Sequence, residues 1–87
     1  MTYLVEFTLQ AEKDFSRLDK TITQHIADKI DWLSQNIEFI TPTPLKGNFK
    51  GKYKLRVGDW RMIYSLDHSS HIITIYAVGH RSEVYKV

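Results

Sequence analysis

Apolar residues recur at spacings of three and four through Phe15, Leu18, Ile22, Ile26, Ile30, Leu33 and Ile37, the signature of helices that bury one stripe. Asp19 and the capping-box pattern Thr21-Ile22-Thr23-Gln24 interrupt this run, which therefore predicts two helices, about 9–18 and 22–36, joined by a tight turn. Ahead of them residues 3–7, Tyr-Leu-Val-Glu-Phe, are rich in strand formers and predict a first strand. Thr41-Pro42-Thr43-Pro44 ends helical structure, because each proline pushes its predecessor into extended backbone.

Beyond a basic loop bracketed by Gly47 and Gly51 the period becomes two. Lys52-Tyr53-Lys54-Leu55-Arg56-Val57 alternates basic and apolar, as a half-buried strand does. Gly58-Asp59 predicts a two-residue turn, residues 60–66 the returning strand, and 67–71 a polar turn. Residues 72–78 form a nearly continuous apolar run suited to a central strand, and a last short strand is expected around 83–85. The expected fold class is α+β: an N-terminal strand, a two-helix hairpin, then a small antiparallel β-sheet with the helices on one face. We expect one domain over residues 1–87, with no internal repeat or low-complexity segment.

A two-residue turn at Gly58-Asp59 fixes a register: Val57 against Trp60, Arg56 against Arg61, Leu55 against Met62. Tyr53, Leu55, Val57, Trp60, Met62 and Tyr64 then share the core face, while Lys52, Lys54, Arg56 and Arg61 share the other. Like charges directly opposite on paired strands are unfavourable by ~0.2–1 kcal/mol. A surface needing only solubility mixes signs, so the clustering points to a binding face. Trp60 and Tyr64 are read as packing residues, and Trp32 as core or a partner contact.

Composition sharpens this picture. Apolar residues make up 43% and aromatics 13%, enough for a real core and too much for a disordered chain. Without cysteine there is neither a disulfide framework nor a thiolate metal site. No apolar stretch approaches the ~20 residues that cross a bilayer, and no signal peptide opens the chain, so the cytoplasm is expected. Net charge is only +2, yet residues 1–44 hold four Lys/Arg against seven Asp/Glu, and residues 45–87 eight against three. That asymmetry is the footprint of a polyanion or an acidic partner. His68 and His71 lack a third ligand at matching spacing, so no metal and no cofactor are expected.

Leu45-Lys46-Gly47, the run 53–64 (Tyr-Lys-Leu-Arg-Val-Gly-Asp-Trp-Arg-Met-Ile-Tyr), Val78-Gly79-His80-Arg81 and Val84-Tyr85 together resemble the RelE branch of the RelE/ParE toxin superfamily. The resemblance implies a RelE-like fold and a toxin that cleaves messenger RNA, typically in the ribosomal A site. It also implies a cognate antitoxin, with operator DNA reached through the toxin-antitoxin complex. Lys52, Lys54, Arg56, Arg61, Arg81 and Tyr85 fall where the family's active-site positions lie, and His80 stands where some relatives carry lysine. ParE-type gyrase poisons share the fold, which makes gyrase poisoning the second reading. A non-toxic binding module is the third.

RNA is cut without a metal when its own 2′-hydroxyl attacks the adjacent phosphate, given a base, an acid and compensation of developing negative charge. Arg61 is the expected phosphate clamp, since a guanidinium binds phosphate through two parallel hydrogen bonds. Arg56 and Lys52 assist it, and Lys46 and Lys50 extend the contact with RNA. Lys54, Tyr85 and His80 are the candidate proton carriers. Arg81 is an electrostatic stabiliser, because a guanidinium is a poor proton donor.

Overall fold

In the computed structural model, which describes residues 2–84, the chain opens with strand β1 (Leu4–Phe7) and passes into helix α1 (Leu9–Ser16). Thr8 caps α1, its hydroxyl accepting from the Ala11 amide at 3.1 Å. Helix α2 (Lys20–Asn36) starts two residues earlier than the capping-box pattern suggests. Its cap is Asp19, whose Oδ1 accepts from the Ile22 amide at 2.9 Å, and Thr21 lies inside the first turn. A carboxylate satisfies a free amide there and also suits the positive end of the helix dipole.

The C-terminal half supplies four strands, β2 (Thr43–Pro44), β3 (Tyr53–Val57), β4 (Trp60–Asp67) and β5 (Ile72–His80). The sheet order is β1-β5-β4-β3-β2; β3, β4 and β5 pair antiparallel as expected, and the proline segment expected only to end helical structure adds β2 antiparallel to β3. Strand β1 joins the far edge parallel to β5, Leu4 opposite Ile72 and Phe7 opposite Ile75. Beyond Phe7 the edge of β5 is covered by α1: the Val78 amide donates to Asp14 Oδ2 at 3.0 Å, and the Thr8 hydroxyl donates to the Tyr76 carbonyl at 3.0 Å. A helix thus satisfies backbone groups that an open edge would leave exposed.

The main core lies between the helices and one sheet face, where Ile26, Ile30 and Leu33 of α2 meet Met62, Tyr64, Ile73, Ile75 and Val78. A smaller cluster occupies the opposite face. There Ile63 and Ala77 are buried with Val84, and Leu45, Phe49 and Tyr76 pack against them. Strand β5 serves both clusters by alternation, and it carries a bulge: Ile63 pairs with Ala77 but Tyr64 pairs with Ile75, so Tyr76 has no partner in β4. Residues 81–84 form turns rather than the start of a last strand, and Tyr85 lies outside the described residues. Among the described residues, no helix is long and apolar enough to cross a membrane.

Candidate nucleic-acid interface

The β3–β4 hairpin has the register that its turn demands: Val57 opposite Trp60, Arg56 opposite Arg61, Leu55 opposite Met62 and Lys54 opposite Ile63. Gly58 at the turn has φ +61°, the left-handed region that glycine enters without a steric penalty. Lys54, Arg56 and Arg61 therefore rise from the face opposite the helices, with Lys54 and Arg56 exposed and Arg61 half-buried. Arg61 is anchored. Its Nη1 donates to the Gly58 carbonyl at 2.7 Å and to the Trp60 carbonyl at 2.9 Å. Two of its five N–H donors are engaged by the turn, which leaves three for an anion.

Lys52 enters the same face one step before β3. Its Nζ lies 4.7 Å from the centroid of the Tyr76 ring, within cation–π range. Lys46 and Lys50 sit on the loop that leads to it, both exposed, around a short 3-10 turn at Gly47–Phe49. Leu45 and Phe49 from that loop pack on Ile63 and Ala77, so the loop folds over the cationic side of the sheet. At the other end Val84 packs over Gly79, 3.4 Å from where a Cβ on that glycine would be. Gly79 is itself opposite Arg61. The basic cluster thus lies on a sheet face flanked by the loop on one side and the C-terminal turn on the other.

Not every candidate joins it. The Arg81 amide donates to the Asp59 carbonyl at 2.9 Å, which holds Arg81 at the hairpin turn next to Arg61 with its side chain exposed. His80 is opposite Trp60, with ring centroids 5.6 Å apart and its Nδ1 2.9 Å from the Ser82 hydroxyl. It therefore lies on the helix side of the sheet, across from Arg56 and Arg61. Tyr85 lies outside the described residues. Tyr76 was overlooked in the sequence, because the nearly continuous apolar run 72–78 reads as buried on both faces and does not single out its ring as the one beneath Lys52.

Other readings from the sequence are also resolved. Tyr64 is buried in the main core, where desolvation and the nearby Tyr53 push its hydroxyl up to about 12. Trp60 packs against that core. Trp32 is not a core residue: it is 40% exposed, with Lys29 Nζ 4.0 Å above its ring. His68 accepts or donates at Nδ1 to the Tyr3 hydroxyl at 2.7 Å, and His71 packs edge-on against the Tyr3 ring. Both histidines thus fasten the β4–β5 turn to the start of β1.

Comparison with known proteins decides the family. A family model described as the ParE toxin of the type II toxin-antitoxin system parDE matches residues 5–85. The chain belongs to this family. The toxin is 36% identical over 91 residues to a RelE-like toxin protein of Escherichia coli, covering 100% of this chain and 94% of that relative. It is 27% identical over 85 residues to Toxin RelE of Mycobacterium tuberculosis, covering 98% and 88%. Among solved structures, it is similar to the RelBE2 toxin-antitoxin complex of Mycobacterium tuberculosis, with a TM-score of 0.82 at 27% identity over 93% of this chain and 100% of that one. It is a toxin of a type II toxin-antitoxin system within the RelE/ParE superfamily.

Proposed function

We propose that this toxin is an endoribonuclease that cleaves messenger RNA, in the ribosomal A site, without a metal ion. The observation that carries the reading is the concentration of Lys52, Lys54, Arg56 and Arg61 on one hairpin face, with Arg56 directly opposite Arg61. In this reading the 2′-oxygen of a nucleotide attacks the adjacent phosphorus as the bond to the 5′-oxygen breaks. A base removes the 2′-hydroxyl proton and an acid delivers one to the departing oxygen, leaving a 2′,3′-cyclic phosphate and a 5′-hydroxyl. Arg61, preset by the turn carbonyls, clamps the phosphate, and Arg56 and Arg81 stabilise the charge that builds on it. Lys54 and Tyr85 exchange the protons, while Lys46, Lys50 and Lys52 hold flanking phosphates. His80, on the Trp60 side, takes no part in the proton transfers.

A cognate antitoxin masks this face until it is released, and operator DNA is contacted through the joint complex. The toxin acts in the cytoplasm, where translated messages are. The related structure described as a toxin-antitoxin complex supports such a partner. One observation favours a second reading, poisoning of DNA gyrase: the matching family model carries the ParE description.

Mapping of messenger RNA ends after brief induction separates the two. New ends within translated codons, absent for Arg61→Ala, are the expected outcome. Growth arrest with intact messages and a DNA-damage response would replace the ribonuclease reading with gyrase.

A further inference from the structure

Next to the cation cluster, on the same side of the sheet, is a cavity of about 320 Å³ that shares only Lys52 with the phosphate-binding residues. Its floor is apolar, formed by Ile63 and Ala77, and Tyr76 and Phe49 stand on its walls. Its rim is polar, with Asn48 and Gln10 from two different segments. We propose that this cavity receives one unstacked base of single-stranded RNA, with Tyr76 as the stacking surface and the Asn48 and Gln10 carboxamides reading the base edge. The proposal rests on the ribonuclease reading for its biological meaning and on the cavity alone for the binding itself.

Three features favour a base over an apolar side chain. The first is position. Ile63 lies directly opposite Lys54 and two residues along β4 from Arg61, a distance of about 6.8 Å along a strand. A phosphate on Arg61 therefore leaves the base of a neighbouring nucleotide within reach of the floor. The second is the state of Tyr76. Lys52 Nζ covers its ring at 4.7 Å, so an aromatic face already attractive to cations stands at the mouth. A base arriving on that face moves the ammonium aside toward the phosphates. The third is the rim.

At the rim the Thr8 hydroxyl already donates to the Tyr76 carbonyl and accepts from the Ala11 amide. Gln10 uses its Nε2 on Asp14 at 2.9 Å, which leaves its carbonyl oxygen as an acceptor. Asn48 is exposed, and its carboxamide makes no side-chain hydrogen bond among the described residues. An amide offers a donor and an acceptor side by side, the arrangement that complements a base edge. Unstacked bases in single strands are recognised this way, by an aromatic platform and hydrogen bonds to their edges. An apolar side chain of a protein partner needs the floor but neither the rim nor the adjacent cations.

The test is a nuclear magnetic resonance titration of the full-length, isotope-labelled toxin with each of the four nucleoside 3′-monophosphates, and with ribose 5-phosphate as the base-free probe. The nucleotides are expected to shift the amides of Asn48, Tyr76 and Ala77 together with those of Arg56 and Arg61, and ribose phosphate only the latter pair. Tyr76→Leu, which keeps an apolar side chain over the small cluster, is expected to weaken nucleotide binding about tenfold, the scale of one lost base–aromatic stack. Its ribose phosphate response stays the same. Equal responses to nucleotide and ribose phosphate, or undiminished nucleotide binding by Tyr76→Leu, would overturn the proposal. So would cavity amides that answer only to an antitoxin peptide. Cut-site mapping adds a second readout: Asn48→Ala is expected to keep cutting but with altered base preference beside the cut. If the unaltered toxin cuts no message, the ribonuclease reading fails, while the titration still decides the cavity.

Discussion

Replacing Arg56 by threonine is expected to make the toxin more stable. Arg56 faces Arg61 across the hairpin and is exposed, whereas Arg61 is tied to the Gly58 and Trp60 carbonyls. Removing Arg56 therefore relieves the repulsion without breaking those bonds. A like-charge pair at this position is unfavourable by ~0.2–1 kcal/mol, and threonine also suits a strand. For a domain of this size the relief corresponds to a rise in melting temperature of roughly 1 to 8 °C. Calorimetry at low ionic strength and again near 1 M salt separates the two contributions, because screening at ~3 Å removes the electrostatic part and leaves the strand preference. Lys54→Thr is the control, since Lys54 faces Ile63 and not a cation. A lower melting temperature for Arg56→Thr, or a gain that is equally large in low and high salt, would refute the claim that this face holds repulsion for the sake of binding.

Gly58→Ala places a Cβ at φ +61° and should destabilise the toxin by about 1 kcal/mol; denaturant melts check this, and loosening of Arg61 should lower toxicity further than that loss explains. Asp14→Ala removes the acceptor of the Val78 amide and should lower stability by ~1–3 kcal/mol, with faster hydrogen exchange at Val78 as its local mark. Tyr64 has a hydroxyl pushed up to about 12, so its contribution to stability is complete below its ordinary value near ~10 and is lost as pH rises toward 12. Tyr64→Phe should accordingly unfold less steeply than the unaltered toxin between those pH values, measured by circular dichroism.

The features legible in the sequence were those set by near neighbours. A two-residue turn with glycine first dictates which residues of β3 and β4 face each other, so the segregation of Arg56 and Arg61 from Leu55 and Met62 followed directly. The helical stripe through Ile26, Ile30 and Leu33 was equally local. What escaped depended on distant pairing. Whether Asp19 or Thr21 capped α2 turned on where the chain entered the helix, and both side chains were competent. The placement of β1 beside β5 joins residues more than 60 positions apart. His80 looked like part of the basic cluster because it precedes Arg81. Its side of the sheet follows only from its pairing with Trp60, which requires knowing that one residue of β5 is skipped.

That skipped residue gives β5 a phase slip. Before Tyr76 the odd-numbered positions Ile73 and Ile75 point to the helices; after it the even-numbered Val78 does, and Ala77 and Gly79 are handed to the other side. Removing Tyr76 itself would restore strict alternation and leave every downstream side chain on its present face, Val78 beneath the helices and Gly79 opposite Arg61. The extra residue leaves the pairing on either side unchanged, and what it adds is a second side chain beside Ala77 on the cationic side. Its deletion would strip the cationic face of the ring beneath Lys52 while leaving every one of its arginines and lysines in place.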